Sequence, residues 1–220
     1  MTVSDFVSFL QYNSDAVITA TLQHVYLSFG AVFAGASLAI PLGIWLTGRE
    51  KAAQACLSVT GTIQTIPSLA LFGFALPILG IGFFPAMVVL FLYSLLPILR
   101  NTYTSLKGVS PALIEAGKGM GMSNCQLLVM VKLPLALPVI MTGIRISSIY
   151  IISWATFAAF IGAGGLGDLI VTGIQTMDLY FILAGAIPTA LLALVTGWVL
   201  GLLERAVTPR GLRIYGVERE

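Results

Sequence analysis

Long apolar runs separated by short polar breaks dominate this chain. Five runs, at about 23–47, 53–79, 84–104, 136–160 and 180–203, reach the roughly 20 residues that carry a helix across a bilayer. They predict five membrane-spanning helices. The second run contains Pro67 and Pro77, so it is either a broken helix or a span followed by a short outer segment. Prolines inside a span are tolerated where neighbouring helices satisfy the freed carbonyls, which favours a place inside a bundle over a lipid-facing rod. Ahead of the first span, Val3, Phe6, Val7 and Leu10 recur at i, i+3, i+4 and i+7, the apolar stripe of a helix. Thr2 and Asp5 have capping-box spacing. Residues 3–12, within an outer segment 1–21, thus predict a short amphipathic helix on the outer membrane face; a disordered lead-in is the alternative.

Between the third and fourth runs lies a polar, glycine-punctuated loop at 105–134. Ser110-Pro111 supplies an N-cap and a proline at the first helical position, so a helix is expected from Pro111 to about Met120. Gly121 then stops it in a left-handed cap. Ser123 caps a second helix through about Lys132, and Pro134 marks its end. The expected shape is two short helices joined by a glycine turn, parallel to the membrane.

Composition agrees with a membrane protein. Of 220 residues, 58% are hydrophobic and 9% charged, where a soluble domain carries about a quarter charged residues. The net charge of +2 is small, but its distribution orients the chain. Arg49 and Lys51 fall between spans one and two. Arg100, Lys107, Lys118 and Lys132 lie in or beside the central loop, and Arg145 lies near the start of span four. Arg205, Arg210, Arg213 and Arg219 lie in the tail at 204–220. A five-span arrangement puts all of them on one side, with Asp5, Asp15, Asp168 and Asp178 on the other. By the positive-inside rule the N-terminus is outside and the C-terminus and central loop are cytoplasmic. The whole of 1–220 reads as one transmembrane domain. The first twenty residues hold no Lys or Arg and the first apolar run is too long for an h-region, so no cleavable signal peptide is expected.

Several chemistries are disfavoured. His24 is the only histidine, and Cys56 and Cys125 have no metal-ligand spacing, so no metal site is expected. No carboxylate stands mid-membrane, which argues against an ion-coupled secondary transporter, and no inverted repeats are visible. No His/Asp/Glu constellation or Ser/Lys dyad suggests an embedded enzyme. Gly162-x-Gly164-x-x-Gly167 matches a dinucleotide fingerprint by letter, but it follows a membrane span rather than a strand. The chain has no Gly-x-x-x-x-Gly-Lys-Ser/Thr run and hence no ATP site of its own. No nucleic-acid partner is expected. Arg145 is the one ionisable residue well inside a span; it either snorkels to the interface as an anchor or serves a gate or partner contact.

The central loop resembles the EAA loop of ABC importer permeases. That motif reads Glu-Ala-Ala, three residues, Gly, nine residues, Ile, any residue, Leu-Pro. Here Glu115-Ala116-Gly117, Gly121, Val131 and Leu133-Pro134 keep every spacing, with Gly117 for Ala and Val131 for Ile. IPLGIWLTGRE, TIQTIPSLALFGF, LLPILRNTY and FIGAGGLGDLI extend the resemblance along nearly the whole chain, toward the osmoprotectant branch. That branch takes up glycine betaine, carnitine, choline and proline betaine. Methionine importer permeases are the nearest alternative.

The resemblance implies an all-α integral membrane fold of about five transmembrane helices, shared with the methionine-type permeases. It implies a multi-pass protein of a bacterial or archaeal plasma membrane, paired with a second permease copy or paralogue. The implied partners are a cytoplasmic ABC ATPase that binds the ATP and Mg, and an extracytoplasmic substrate-binding protein. The first loop helix would dock on the ATPase, with Glu115 facing it or capping the helix. Ala116 and Gly117 would permit close backbone approach, and Gly121 would make the turn. Met120, Met122 and Met130 would contact the ATPase groove or pack on the chain's own spans. Gly162, Gly164, Gly165, Gly167 and Asp168 would form an outer turn that gates, contacts the binding protein, or merely connects spans. Pro67, like Arg145, is a candidate gate or anchor. Trp45, Tyr93, Tyr150 and Trp154 would line a weak substrate path, or anchor in lipid and pack in the core.

Overall fold

The computed structural model describes residues 3–209. Among these residues the chain is helical, with no strand. In hydrocarbon the backbone has no water to bind, and a helix satisfies its N–H and C=O groups within one segment. The elements are α1 (Val3–Tyr12), α2 (Ser14–Leu46), α3 (Glu50–Thr65), α4 (Ser68–Leu79), α5 (Phe83–Lys107), α6 (Pro111–Gly119) and α7 (Asn124–Gln126). A π-helical turn (Leu127–Lys132) leads into α8 (Leu133–Trp154) and a 3₁₀ segment (Ala155–Ile161). Then come α9 (Leu166–Thr176) and α10 (Leu179–Val207). Thr2 of the expected capping box, and Arg210, Arg213 and Arg219 of the tail, lie outside the described residues.

Four helical stretches are long and apolar enough to cross a membrane alone: α2, α5, Asn124–Ile161 and α10. α3 and α4 are long and apolar enough only as a pair, bent by 99° between them, as in a broken span or a re-entrant loop, so the described residues make four crossings or up to five. The second apolar run is therefore a broken helix. The break falls on Ile66 and Pro67, which are extended, with ψ of 130° and 133°. Proline disfavours the helical conformation in the residue before it, whereas Pro77 stays inside α4. Tyr93 of α5 stitches the break. Its hydroxyl donates to the Ile66 carbonyl at 2.7 Å. Pro97 lacks the N–H that would bond the Tyr93 carbonyl, and Gln64 Nε2 donates to that carbonyl at 3.3 Å instead.

Helix contacts rest on small residues, as expected where no hydrophobic effect drives association in lipid. Gly35 and Gly43 of α2 sit over Ser94 and Thr102 of α5, and any side chain at either glycine would strike them. Gly143 of α8 packs on Asn101 and the Pro97 carbonyl, and Ser147 Oγ donates to the Ser94 carbonyl at 3.1 Å. The core between α2, α5 and α8 includes Leu27, Leu46, Leu90, Ile98 and Ile151.

Three expectations need correction. Span one starts near 14, not 23. Val17, Ala20, His24 and Leu27 keep one face of α2 buried or half-buried, so protein contacts support the helix ahead of the apolar run. The stripe of α1 also shifts: Phe6, Phe9 and Leu10 pack beside Leu166, Leu169 and Phe181, while Val7 is exposed. Phe9 meets the Phe181 ring edge-on at 4.9 Å. Third, Pro134 does not end a loop helix. From Asn124 the chain runs through the π-helical turn into α8 without a break. The Leu133 N–H bonds the Leu128 carbonyl, five residues back. This wider turn comes just before the proline, whose ring would crowd a regular helix.

Candidate functional site

The central loop forms at one end of the bundle. Ser110 occupies the N-cap position of α6 with Pro111 behind it, though its side chain makes no capping bond. The other end of α6 closes in a Schellman motif. The Met122 N–H bonds the Gly117 carbonyl at 3.1 Å, and the Gly121 N–H bonds the Lys118 carbonyl at 2.9 Å. Gly121 has φ +80°, a conformation costly for residues with a Cβ. Ser123 and Gln126 then make a reciprocal capping box: the Gln126 N–H donates to Ser123 Oγ at 3.3 Å, and the Ser123 N–H to Gln126 Oε1 at 2.8 Å.

The motif residues divide by exposure. Glu115 and Ala116 are exposed, and Gly117 is buried. A Cβ at Gly117 would stand 2.6 Å from Leu127 Cδ1 and 3.3 Å from the Met122 sulfur. The close approach at Gly117 is therefore to this chain's own π-helical turn. Met120 and Met130 are exposed, while Met122 is half-buried. Leu133 packs beside Leu106, Ala136 and Ile140, and Pro134 is exposed.

Arg145 pairs with a residue that sequence reasoning had left in the tail. Its Nη1 lies 3.7 Å from Glu204 Oε2, and Thr142 Oγ1 donates to Glu204 Oε1 at 2.8 Å. Gly201 leaves room for the guanidinium: a Cβ there would come within 3.1 Å of it. The sequence signal was Thr142 and Arg145 three apart, opposite Gly201 and Glu204 three apart. It became readable only once α10 was known to run through Glu204.

At the opposite end lies the glycine turn. Gly162, Gly164 and Gly165 have positive φ, but Gly167 and Asp168 already belong to α9, a helix the sequence reading treated as connecting turn. The buried series Leu166, Leu169 and Gly173 was the missed signal. Gly167 lies flat against the Thr156 carbonyl. The Gly165 N–H donates to Gln23 Oε1 at 3.0 Å, and the Gly82 N–H to the Ile161 carbonyl at 2.8 Å. His24 is fully buried, and its Nε2 donates to the Ile152 carbonyl at 2.9 Å. The turn is thus pinned to α2 and to the start of α5. Partial burial raises the Asp168 carboxyl above its usual pKa.

Three of the four candidate aromatics converge. The Tyr93 and Trp154 rings are 4.7 Å apart, and those of Tyr150 and Trp154 are 5.6 Å apart. Trp45 lies elsewhere, under the Arg49 guanidinium at 4.0 Å. Pro67 is exposed, beside the Tyr93-bonded Ile66 at the break between α3 and α4.

A helical bundle of four to five apolar crossings, with small-residue contacts and a two-part polar loop at one end, is that of a multi-pass membrane protein. The chain belongs to the family described as binding-protein-dependent transport system inner membrane component, which matches residues 39–209. It is 47% identical over 211 residues to the glycine betaine/carnitine/choline transport system permease protein OpuCB of Bacillus subtilis (strain 168), covering 96% of this chain and 97% of that one. It is 48% identical over 207 residues to the carnitine transport permease protein OpuCB of Listeria monocytogenes and to the choline transport system permease protein OpuBB of Bacillus subtilis (strain 168). Each match covers 94% of this chain and 95% of the relative. The inward-facing MetNI methionine ABC transporter has a chain of the same fold, with TM-score 0.78 and 22% identity over 90% of this chain and 98% of that one.

Proposed function

We propose that this chain is the membrane subunit of an ATP-driven importer for quaternary-amine osmoprotectants such as glycine betaine, carnitine and choline. The observation that carries the proposal is the α6–Gly121–π-turn loop. It holds Glu115 and Ala116 outward on a short helix, joined through the Gly121 turn to a second helical stretch that runs from Asn124 unbroken into span four. A push or pull on α6 would reach a membrane-crossing helix through the short Gly121 turn and the packing of Gly117 against Leu127. Relatives at 47–48% identity are named for these solutes, which supports the substrate class.

In this reading two permease chains, identical or paralogous, face each other with the solute path between them. The N-terminus and the glycine turn lie outside, where a substrate-binding protein delivers its cargo. The α6 loop lies in the cytoplasm, in a bacterial or archaeal plasma membrane. Separate ATPase chains bind ATP and Mg there and dock on α6. Their closure draws the two α6 helices together and swings the spans from inward-open to outward-open; hydrolysis resets them.

The test is a mild-detergent pull-down of the tagged chain from its native host, followed by uptake of labelled glycine betaine, carnitine, choline and methionine. Here the first three are the osmoprotectants. Co-purification of an ABC ATPase together with uptake of at least one of the three supports the reading. Purification alone or only with itself, even after cross-linking, overturns ATP coupling. Uptake confined to methionine overturns the substrate class.

A further inference from the structure

The broken span carries a feature that the coupling loop does not use. Gln54, Ser58, Thr62 and Thr65 are exposed at i, i+4, i+8 and i+11 of α3, so they form one polar stripe along the first limb of the bent α3–α4 pair. Thr62 and Thr65 turn their hydroxyls to their own helix. The Gln54 amide and the Ser58 hydroxyl have no such partner among the described residues. Hydrocarbon penalises polar groups left without partners, and polar residues within spans face a bundle interior or a water-filled cavity. The stripe therefore marks a wet wall.

Its upper end reaches the aromatic cluster. Thr65 adjoins Ile66, whose carbonyl holds the Tyr93 hydroxyl at 2.7 Å. Behind that bond the Tyr93 ring packs on Trp154. Tyr93 is buried, Trp154 half-buried and Tyr150 exposed, so Trp154 and Tyr150 offer ring faces and Tyr93 backs them. Their rings tilt by 35° at 5.6 Å. No Asp or Glu occurs on α4, α5 or α8. With no carboxylate on these helices, the ring faces are what would attract an onium group here, and attraction of that kind is weak enough to release it.

We propose that Trp154 and Tyr150, backed by Tyr93 at the head of the α3 stripe, form a weak transit site for a quaternary ammonium group. This site rests on the import reading for its physiological cargo, but its chemistry can be tested separately. In membranes carrying the complete transporter, Cys56 is changed to Ala and Cys125 to Ser, and Thr65→Cys is labelled with a water-soluble maleimide. Thr65→Cys reacts readily, and millimolar choline slows the reaction by about threefold or more. Its neutral isostere 3,3-dimethylbutan-1-ol does not. Trp154→Leu and Tyr150→Leu each remove the protection, and Trp154→Phe retains it.

A Thr65→Cys that water-borne reagent cannot reach overturns the proposal. So does equal protection by the neutral isostere, or protection that survives both leucine variants. Labelled-solute uptake by the unaltered transporter is scored alongside. No uptake of glycine betaine, carnitine or choline sinks the import reading, whereas choline-specific protection is scored on its own.

Discussion

The Arg145 guanidinium stands 3.7 Å from the Glu204 carboxylate, joining α8 to α10 near the end of the bundle that carries the α6 loop. Because α8 is continuous with the π-helical turn, the pair ties the last span to the helix whose start packs against α6. Arg145 is 42% exposed, so screening holds the pair to about 0.5–1 kcal/mol. A double-mutant cycle of Arg145→Gln and Glu204→Gln, read by thermal unfolding in detergent, should give coupling of that size. Coupling near zero would leave α10 independent of α8.

Gly121→Leu should weaken ATPase binding and uptake while the spans insert normally. The φ of +80° at this position costs a side chain about 1–2 kcal/mol, and the Schellman bonds depend on that conformation. Gly121→Asn, which tolerates the left-handed region better, should retain more uptake. Comparing ATPase co-purification and uptake for both variants checks the prediction; full uptake by Gly121→Leu would count against a coupling role.

Gly117→Ala restores the residue usual at this motif position. It gains up to about 1 kcal/mol of helix propensity, set against a Cβ that crowds the movable end of Leu127 at 2.6 Å. The two effects nearly cancel, so thermal stability and uptake should both stay close to those of the unaltered chain.

Gly167→Ala should be far more damaging than its size suggests. The new methyl meets the Thr156 backbone carbonyl, which cannot rotate away as a side chain would. Loss of folded, detergent-extractable protein, measured by size-exclusion chromatography, is the expected outcome. The same yield as the unaltered chain would mean that α9 can shift without cost.

Tyr93→Phe removes the donor from the Ile66 carbonyl at the 99° break. Leaving a carbonyl unsatisfied costs about 1–3 kcal/mol. Backbone hydrogen exchange around residues 64–70 should quicken while that of α2 stays slow. Unchanged exchange at the break would show that Gln64 alone suffices to hold it.

Much of this protein is local and therefore legible in sequence. Apolar length marks the crossing helices because a bilayer has a fixed thickness. Pro67 sets the position of the break, and Gly121 and Ser123 with Gln126 set the turn and caps of the loop, since each acts within a few residues. Pairings across helices were not legible in this way. That Glu204 meets Arg145, that Gln23 holds the glycine turn while His24 bonds Ile152, and that Tyr93, Tyr150 and Trp154 share one cluster all depend on helix rotation and register. Those are decided by which glycines fit over which hydroxyls when α2, α5, α8 and α10 close together. The continuity from Asn124 into α8 belongs with them. Proline chemistry alone predicts a stop at Pro134, and the π-helical turn, packed against the buried Gly117, lets the helix continue.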